Sequence, residues 1–165
     1  MTTTAESATT TAFVPLPTFS IVAVDSGSYS NQILYADPSS SSNVKLFAPG
    51  QAPDNTWSSQ FHIDSASGRL ITALGTALCA AVGGFSGFQN PTRLYQCPAG
   101  TVETSGVGAK KVLRCTQEDN GSLVCTMTPE FSAEFKYQLT RDGVVNVAYT
   151  QTVSSYTYLS FKVAS

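Results

Sequence analysis

The sequence predicts an all-β fold, and three observations support that prediction. From Thr18 onward, twelve short runs of β-branched, aromatic and aliphatic residues alternate with turn clusters such as Asp-Ser-Gly, Ala-Pro-Gly and Asp-Asn-Gly. No window of a dozen residues has a convincing 3.6-residue apolar period, and the best helical candidate, residues 72–82, is weakened by Gly75. In addition, one pattern typical of a β-hairpin occurs three times along the chain.

The repeated hairpin pattern consists of two apolar residues at alternating positions, a polar turn that contains glycine, and an apolar residue two positions beyond it. Its three copies start at residues 19, 61 and 113 and have their glycines at Gly27, Gly68 and Gly121. Alternation places the apolar side chains on one face of a strand, and glycine accepts the positive φ of a tight turn. Further strand runs follow each hairpin, with about four strands per unit, so we expect a β-trefoil-like fold of three pseudo-repeats. A surplus strand after Met127 leaves a β-sandwich as the alternative.

The strand runs also define the domain organisation. Residues 1–17 are rich in Thr, Ser and Ala, so we expect a disordered linker there, followed by a single all-β domain over residues 18–165. The predicted strands are 19–24, 32–35, 44–47, 60–63, 69–72, 78–82, 93–97, 111–115, 123–127, 135–139, 144–149 and 156–163.

Composition and charge exclude several classes of partner. Only 12% of the residues are charged and the net charge is −2, without a basic stripe, so we expect no nucleic-acid partner. No apolar run approaches the roughly 20 residues of a membrane span, so we expect no membrane partner. Four cysteines in a low-charge chain that is rich in Ser and Thr are typical of a secreted, extracellular protein. A cytosolic protein with free thiols is the alternative.

The four cysteines allow three pairings. Cys115 and Cys125 flank an Asp-Asn-Gly turn, and an odd-numbered loop with a glycine bulge would place them opposite each other, within reach of a disulfide. Cys79 and Cys97 are then left as the second pair, so we favour the Cys79–Cys97 and Cys115–Cys125 disulfides. We expect no metal site, because the spacing contains no C-x₂₋₄-C knuckle and the chain has one histidine.

The polar residues give no support for an enzyme, and we expect neither a catalytic residue nor a cofactor. His62 lies between two apolar residues, so alternation turns it away from the core, and no Ser or Cys stands in a nucleophile elbow. Glu130 and Glu134 are four residues apart, and we interpret them as solvated surface charges.

Two surface features are compatible with an extracellular binding module. Asn120, followed by Gly and Ser, fits both an N-glycosylation sequon and a hairpin turn. Trp57 lies in the polar loop Asp-Asn-Thr-Trp-Ser-Ser, and core residues seldom have such polar neighbours in the sequence. We weigh a core or loop-packing role for Trp57 against contact with a ligand.

Residues 61–97 resemble one repeat of the ricin-type β-trefoil lectins. The resemblance rests on Gly-Arg-Leu-Ile at 68–71, Leu-Cys-Ala-Ala-Val at 78–82 and Arg-Leu-Tyr-Gln-Cys at 93–97. The Q-x-W ending of that family is absent, and Ala81 replaces the sugar-binding Asp that often follows the first Cys by two residues. The resemblance implies a disulfide between the two cysteines of this repeat. It also implies that a surviving sugar pocket lies in the first unit, with these candidate carbohydrate-binding residues: Asp37, Asn55, Trp57 and Gln60.

A larger part of the chain resembles uncharacterised modules of secreted fungal cell-surface proteins. Their F-x-L-D…G-x-L pattern matches residues 61–70, and their L-x-C…G-x-L-x-C pattern matches residues 113–125. This resemblance implies an extracellular, non-catalytic module associated with the cell wall.

Three functions follow as hypotheses. The first is a secreted, lectin-like, non-enzymatic module that binds a polysaccharide or glycan or associates with the cell wall. The second is a disulfide-stapled structural or adhesion module that self-associates without binding sugar. The third, an enzyme acting on polysaccharide, requires two carboxylates that face each other across a cleft.

Overall fold

The computed structural model describes residues 17–40, 44–82, 91–106, 108–127, 134–148 and 153–164, and it confirms the all-β class. Apart from a 3₁₀ turn at Gly27–Tyr29, these residues contain no helix, and hence no helix of the length and hydropathy needed to cross a membrane. The fourteen strands are β1 Ser20–Val24, β2 Ile33–Ala36, β3 Val44–Phe47, β4 Phe61–Ile63, β5 Leu70–Thr72, β6 Thr76–Val82, β7 Thr92–Arg93, β8 Tyr95–Pro98, β9 Ala109–Val112, β10 Arg114–Gln117, β11 Ser122–Thr126, β12 Tyr137–Arg141, β13 Val144–Ala148 and β14 Thr157–Ala164.

Six of these strands close into a barrel. Their order is β1, β2, β3, β13, β12 and β14, and β14 pairs back onto β1 over five residue pairs. All of these pairings are antiparallel. The β10–β11 hairpin extends this sheet from β14, and the short β7 pairs with β13. Closure removes the exposed strand edges that an open sheet would have to protect.

The middle of the chain forms a second sheet, in the order β4, β5, β6 and β8, with β9 along β6. Two predicted strands, 93–97 and 111–115, cross between the sheets, and each is interrupted at a leucine. Leu94 separates β7 from β8, and its amide bonds to Val145 of the barrel. Leu113 separates β9 from β10, and its amide bonds to Leu78 of the second sheet. Both leucines are buried, so the chain changes sheets at two positions inside the core.

One hydrophobic core joins the two sheets. Alternate residues of the barrel strands point inward, among them Ile21, Leu34 and Val145. The same cluster contains Phe61 and Leu78 from the second sheet. The backbone of Phe61 also exchanges two hydrogen bonds with that of Phe19, at 2.8 and 2.9 Å, directly before β1. The two sheets therefore share one core.

The trefoil prediction is not confirmed, because the three hairpin patterns occupy different positions. The first spans β1, a 3₁₀ turn and β2 in the barrel, the second is β4–β5 in the second sheet, and the third is β10–β11 beside the barrel. The barrel takes its first three strands from residues 20–47 and its last three from residues 137–164. The described strands are compatible with a barrel-like or sandwich-like architecture. Residues 72–82, the best helical candidate, turn at Gly75 and continue as β6.

Both predicted disulfides are present. Cys115 lies directly opposite Cys125 in the β10–β11 register, with their Cα atoms 4.0 Å apart. The last pair of this register is Gln117 with Leu123, so an odd number of residues separates the paired positions, as predicted, and Gly121 has a φ of 81°. Cys79 of β6 bonds to Cys97 of β8, with a Cα separation of 6.0 Å. This second disulfide lies in a small cluster of its own, separate from the main core.

An ion pair between Glu103 and Arg114 holds the segment before β9 against β10. Two guanidinium nitrogens of Arg114 each lie 2.9 Å from a Glu103 carboxylate oxygen, and the Val112 amide donates to the same carboxylate at 2.9 Å. The hydrogen bonds from Arg114 hold the pKa of Glu103 below its ordinary value of 4.5, against the opposing effect of partial burial. The pair is partly exposed, so we expect it to contribute about 1 kcal/mol at most.

This lowered pKa predicts a pH dependence of stability. The unfolded chain binds a proton at Glu103 more readily than the folded chain, so the stabilisation is present above pH 4.5 and is lost as the pH falls below it. We expect Glu103→Gln to reduce the loss of stability between about pH 5 and 3, measured by urea unfolding. Glu118→Gln, in the exposed β10–β11 turn, is the control. An unchanged pH profile in Glu103→Gln would show that the pair does not contribute.

Candidate functional site

The outer face of the barrel carries half-exposed aromatic residues at β2 and β3. Along both strands alternate side chains point into the core, so Leu34 and Leu46 are buried while Tyr35, Lys45 and Phe47 face outward and are only half-buried. The register pairs Tyr35 with Lys45 and Ile33 with Phe47, which is the next pair along on the same face of the sheet. The rings of Tyr35 and Phe47 meet edge to face, with their centroids 5.8 Å apart.

Trp57 completes this surface from the loop that follows β3. Its ring packs edge to face on Phe47, with the centroids 5.3 Å apart and the planes at 88°. We call these three residues, Tyr35, Phe47 and Trp57, the aromatic strip. Such edge-to-face pairs add about 0.5–1.5 kcal/mol each beyond the area they bury, so each ring holds its neighbour in place.

Local hydrogen bonds fix the loop that carries Trp57. The carboxylate of Asp54 accepts hydrogen bonds from the hydroxyl of Thr56 and from its backbone amide, the latter at 2.8 Å. The hydroxyl bond is the main reason that the pKa of Asp54 is lowered. On the other side of Trp57, Ser58 exchanges two backbone hydrogen bonds with Ala36 of β2, at 2.9 and 3.0 Å. The indole is thus held between a turn and a strand bridge.

The other predicted carbohydrate-binding residues lie at different depths. Asn55 is exposed in the same loop as Trp57. Gln60 is also exposed, and its side-chain amide donates to the hydroxyl of Ser20 at 2.9 Å. Asp37 is buried, and its carboxylate accepts hydrogen bonds from the amide and hydroxyl of Ser39, at 2.8 and 2.7 Å. Asn55 and Trp57 therefore share a surface loop, whereas the Asp37 carboxylate stabilises a turn.

Two residues of the aromatic strip, Tyr35 and Phe47, were not singled out from the sequence. Their strands read Ile-Leu-Tyr-Ala and Val-Lys-Leu-Phe, in which apolar residues occupy both faces or nearly so. The pattern alone does not show which face meets the core. Pairing the two runs as a hairpin would have placed Tyr35 and Phe47 on one face, and this is the signal that could have found them.

His62 faces away from the main core, as its position in the strand predicts, and lines a cleft of about 360 Å³ in the second sheet. The cleft also contains Asp64, Ser67 and Arg69. The Ser67 hydroxyl donates to the Asp64 carboxylate, which lowers the pKa of Asp64. In a hydrolase triad the serine bonds to the imidazole instead, so this arrangement is not a triad. Arg69 donates to the backbone oxygen of Ala99 at 2.6 Å.

The remaining predicted residues lie outside the aromatic strip. Glu134 is exposed, and Glu130 lies outside the described residues. Asn120 is exposed in the β10–β11 turn, where its side-chain oxygen accepts a hydrogen bond from the Ser122 amide at 2.7 Å, so its role in the turn is confirmed. Within the described part of the chain, no group of three His, Cys, Asp or Glu residues could hold a metal ion.

Comparison of the whole chain with protein-family models, with curated proteins and with solved structures finds no match. The two resemblances drawn from short motifs therefore stay expectations. Function has to be argued from the surfaces of the molecule itself, and the aromatic strip is the surface whose geometry is most specific.

Proposed function

We propose that this protein is an extracellular, non-enzymatic carbohydrate-binding module that binds a polysaccharide of the cell wall through the aromatic strip. The observation that carries the proposal is the row of three rings on the outside of the barrel, each in contact with the next and each partly exposed. Pyranose rings have apolar faces formed by C–H groups, and a row of aromatic side chains offers such faces a matching, pre-organised contact surface.

The surroundings of the strip support a sugar ligand. Asn55 is exposed within two residues of Trp57 and can both donate and accept hydrogen bonds with sugar hydroxyls. Lys45 lies directly beside Tyr35 in the register and supplies a further donor. A few polar groups around an apolar contact area are the usual composition of a ligand site.

The extracellular location rests on chemistry elsewhere in the chain. Two disulfides with no free cysteine among the described residues are typical of an oxidising compartment. The exposed Asn120 presents a sequon on a hairpin turn, and we propose that it carries an N-linked glycan in a eukaryotic secretory pathway. The resemblance to secreted fungal cell-surface modules agrees with this location but carries no weight alone.

The test is the replacement of Trp57 by alanine. We expect the wild-type protein to be retained on at least one insoluble wall polysaccharide, from a panel of neutral polymers (chitin, cellulose and β-glucan) and one acidic polymer (insoluble pectate). We expect Trp57→Ala to bind at least about fivefold more weakly, a loss of about 1 kcal/mol, because the strip loses the ring at its end. Val124→Ala, at an exposed position on β11, is the matched control and should bind as the wild type does.

The proposal is contradicted if the wild type binds no wall polysaccharide, or if Trp57→Ala binds as well as the wild type. Thermal unfolding of each variant shows whether it is folded. Trp57→Phe keeps an aromatic face at the same place and should retain most of the affinity, which separates stacking from loop stability.

A second function, self-association without sugar, is favoured by one observation. Pro17, Phe19, Ile63 and Val163 line an apolar groove of about 420 Å³. A second copy of the chain could cover this groove or the aromatic strip. Sedimentation velocity over a hundredfold range of concentration distinguishes the two functions, because the carbohydrate-binding module needs no assembly and the adhesion module requires it.

A further inference from the structure

The outer face of the barrel continues from the aromatic strip into a basic region. Direct cross-strand pairs join Tyr35 to Lys45, Lys45 to Val144, and Val144 to Arg141. None of these four side chains is buried, whereas their neighbours Leu34, Leu46 and Val145 are. Since adjacent strands lie about 4.8 Å apart, this row extends roughly 14 Å across four strands, from β2 to β12.

A cleft of about 340 Å³ opens at the far end of this row. Its lining includes Arg93, Arg141, Asn146 and Tyr156. Both arginines are exposed, and they come from different strands, β7 and β12, that flank β13. Asn146 lies opposite Arg93 in the register, and its side-chain amide donates to the Val144 carbonyl at 3.0 Å. Two guanidinium groups therefore line one cleft whose floor is held by the barrel.

The cleft end of this row is positive although the whole chain is slightly acidic. Lys45, Arg93 and Arg141 supply three cations, and the one acid among the cleft-lining residues is Asp142. The exposed carboxylate of Asp54 lies at the opposite end of the row, in the loop that carries Trp57. A carboxylate oxygen of Asp142 lies 3.7 Å from Nε of Arg141, but both side chains are largely exposed. Such a solvent-exposed contact is weak and does not withdraw the guanidinium from an incoming anion.

We propose that the polysaccharide bound by this protein is acidic, and that its carboxylate or sulfate groups bind in the Arg93–Arg141 cleft while its rings stack on the aromatic strip. A guanidinium offers paired N–H donors that match the two oxygens of a carboxylate or sulfate. Lys45 lies between the two contact areas and would face the connecting sugar units. This inference rests on the proposed function, since it names the class of polysaccharide.

The experiment compares acidic polymers with neutral ones of the same backbone. Calorimetric titrations use polygalacturonate against its fully methyl-esterified form, and dextran sulfate against dextran. The first pair tests a carboxylate ligand and the second a sulfate ligand. We expect at least one acidic polymer to bind at least about tenfold more tightly than its neutral partner, and the affinity to fall as salt rises from 50 to 300 mM.

Variants then distinguish binding by the two cleft arginines from a general effect of the protein's net charge. Arg93→Gln with Arg141→Gln should weaken binding of the acidic polymer at least about tenfold. Lys110→Gln with Lys111→Gln removes the same charge from β9 in the second sheet, and we expect less than about a twofold change. Arg93→Lys with Arg141→Lys keeps the charge without the planar fork and should give an intermediate affinity.

The outcomes distinguish this inference from the proposed function. Equal binding of acidic and neutral polymers, or equal losses in the two glutamine pairs, would overturn the acidic ligand. If Trp57→Ala still weakened binding in that case, carbohydrate binding at the strip would stand. If none of these four polymers bound but the protein was retained on a neutral wall polysaccharide, the inference would fall and the proposed function would stand. Binding of no polymer in either experiment would overturn both.

Discussion

Replacing Phe61 by alanine is expected to lower the free energy of unfolding by about 3–5 kcal/mol, the range for large-to-small changes at buried aromatic positions. Phe61 is fully buried in the core that joins the two sheets. Its backbone is held by two hydrogen bonds to Phe19, so β4 cannot easily move inward to fill the cavity. Urea unfolding followed by far-UV circular dichroism measures the loss.

The matched control for Phe61→Ala is Phe47→Ala. It removes the same atoms from a half-exposed position in the aromatic strip, where the side chain is already partly in water. We expect the control to lose about 1–2 kcal/mol, well below the loss at Phe61. Equal losses at the two positions would contradict the assignment of Phe61 to the shared core.

Removal of the Cys79–Cys97 disulfide, as Cys79→Ala with Cys97→Ala, is expected to cost about 2–4 kcal/mol. The bond spans 18 residues of sequence and joins β6 to β8 in the second sheet. Cys115–Cys125 spans only 10 residues, within one hairpin. Because this bond closes the shorter loop, removal of the Cys115–Cys125 disulfide is expected to lower the free energy of unfolding by about 0.5 kcal/mol less than removal of Cys79–Cys97.

Urea unfolding of the two double variants under non-reducing conditions makes this comparison. Both variants remove two buried sulfur atoms, so the packing losses partly cancel when the two are compared. A larger loss from the Cys115–Cys125 removal would contradict the ordering. It would show that the hairpin disulfide acts through folded-state contacts rather than through the unfolded chain.

Local features of the fold are predictable from the sequence because they depend on neighbouring residues. Alternation identified the strand runs, and the loop between Cys115 and Cys125 fixed their register through the glycine bulge. The pairing of distant strands is not encoded locally. β1 pairs with β14 at the opposite end of the chain, so the repeated hairpins do not assemble as equivalent units. For the same reason the sequence predicts continuous strands at 93–97 and 111–115, whereas in the structure each is divided in two, at Leu94 and at Leu113.

The site was predictable in part, for related reasons. Trp57 stood out because a large ring in a polar loop needs an explanation. Asp37 was inferred by resemblance to another family, and in this chain its carboxylate is buried in a turn with Ser39. The cleft between Arg93 and Arg141 depends on the pairing of β7 and β12 with β13. No residue spacing in the sequence predicts that β7 and β12 both pair with β13.

The central claim is that a polysaccharide binds on the aromatic strip, and the fluorescence of Trp57 tests it most directly. Trp57 is the only tryptophan in the chain, so its emission reports on this surface alone. Titration with a soluble form of the polysaccharide on which the protein is retained should shift the emission to shorter wavelength until the site is saturated. The shift is expected because the partly exposed indole loses contact with water. The midpoint should match that from calorimetry. Calorimetric binding without any change in tryptophan emission would contradict the claim and place the binding site elsewhere.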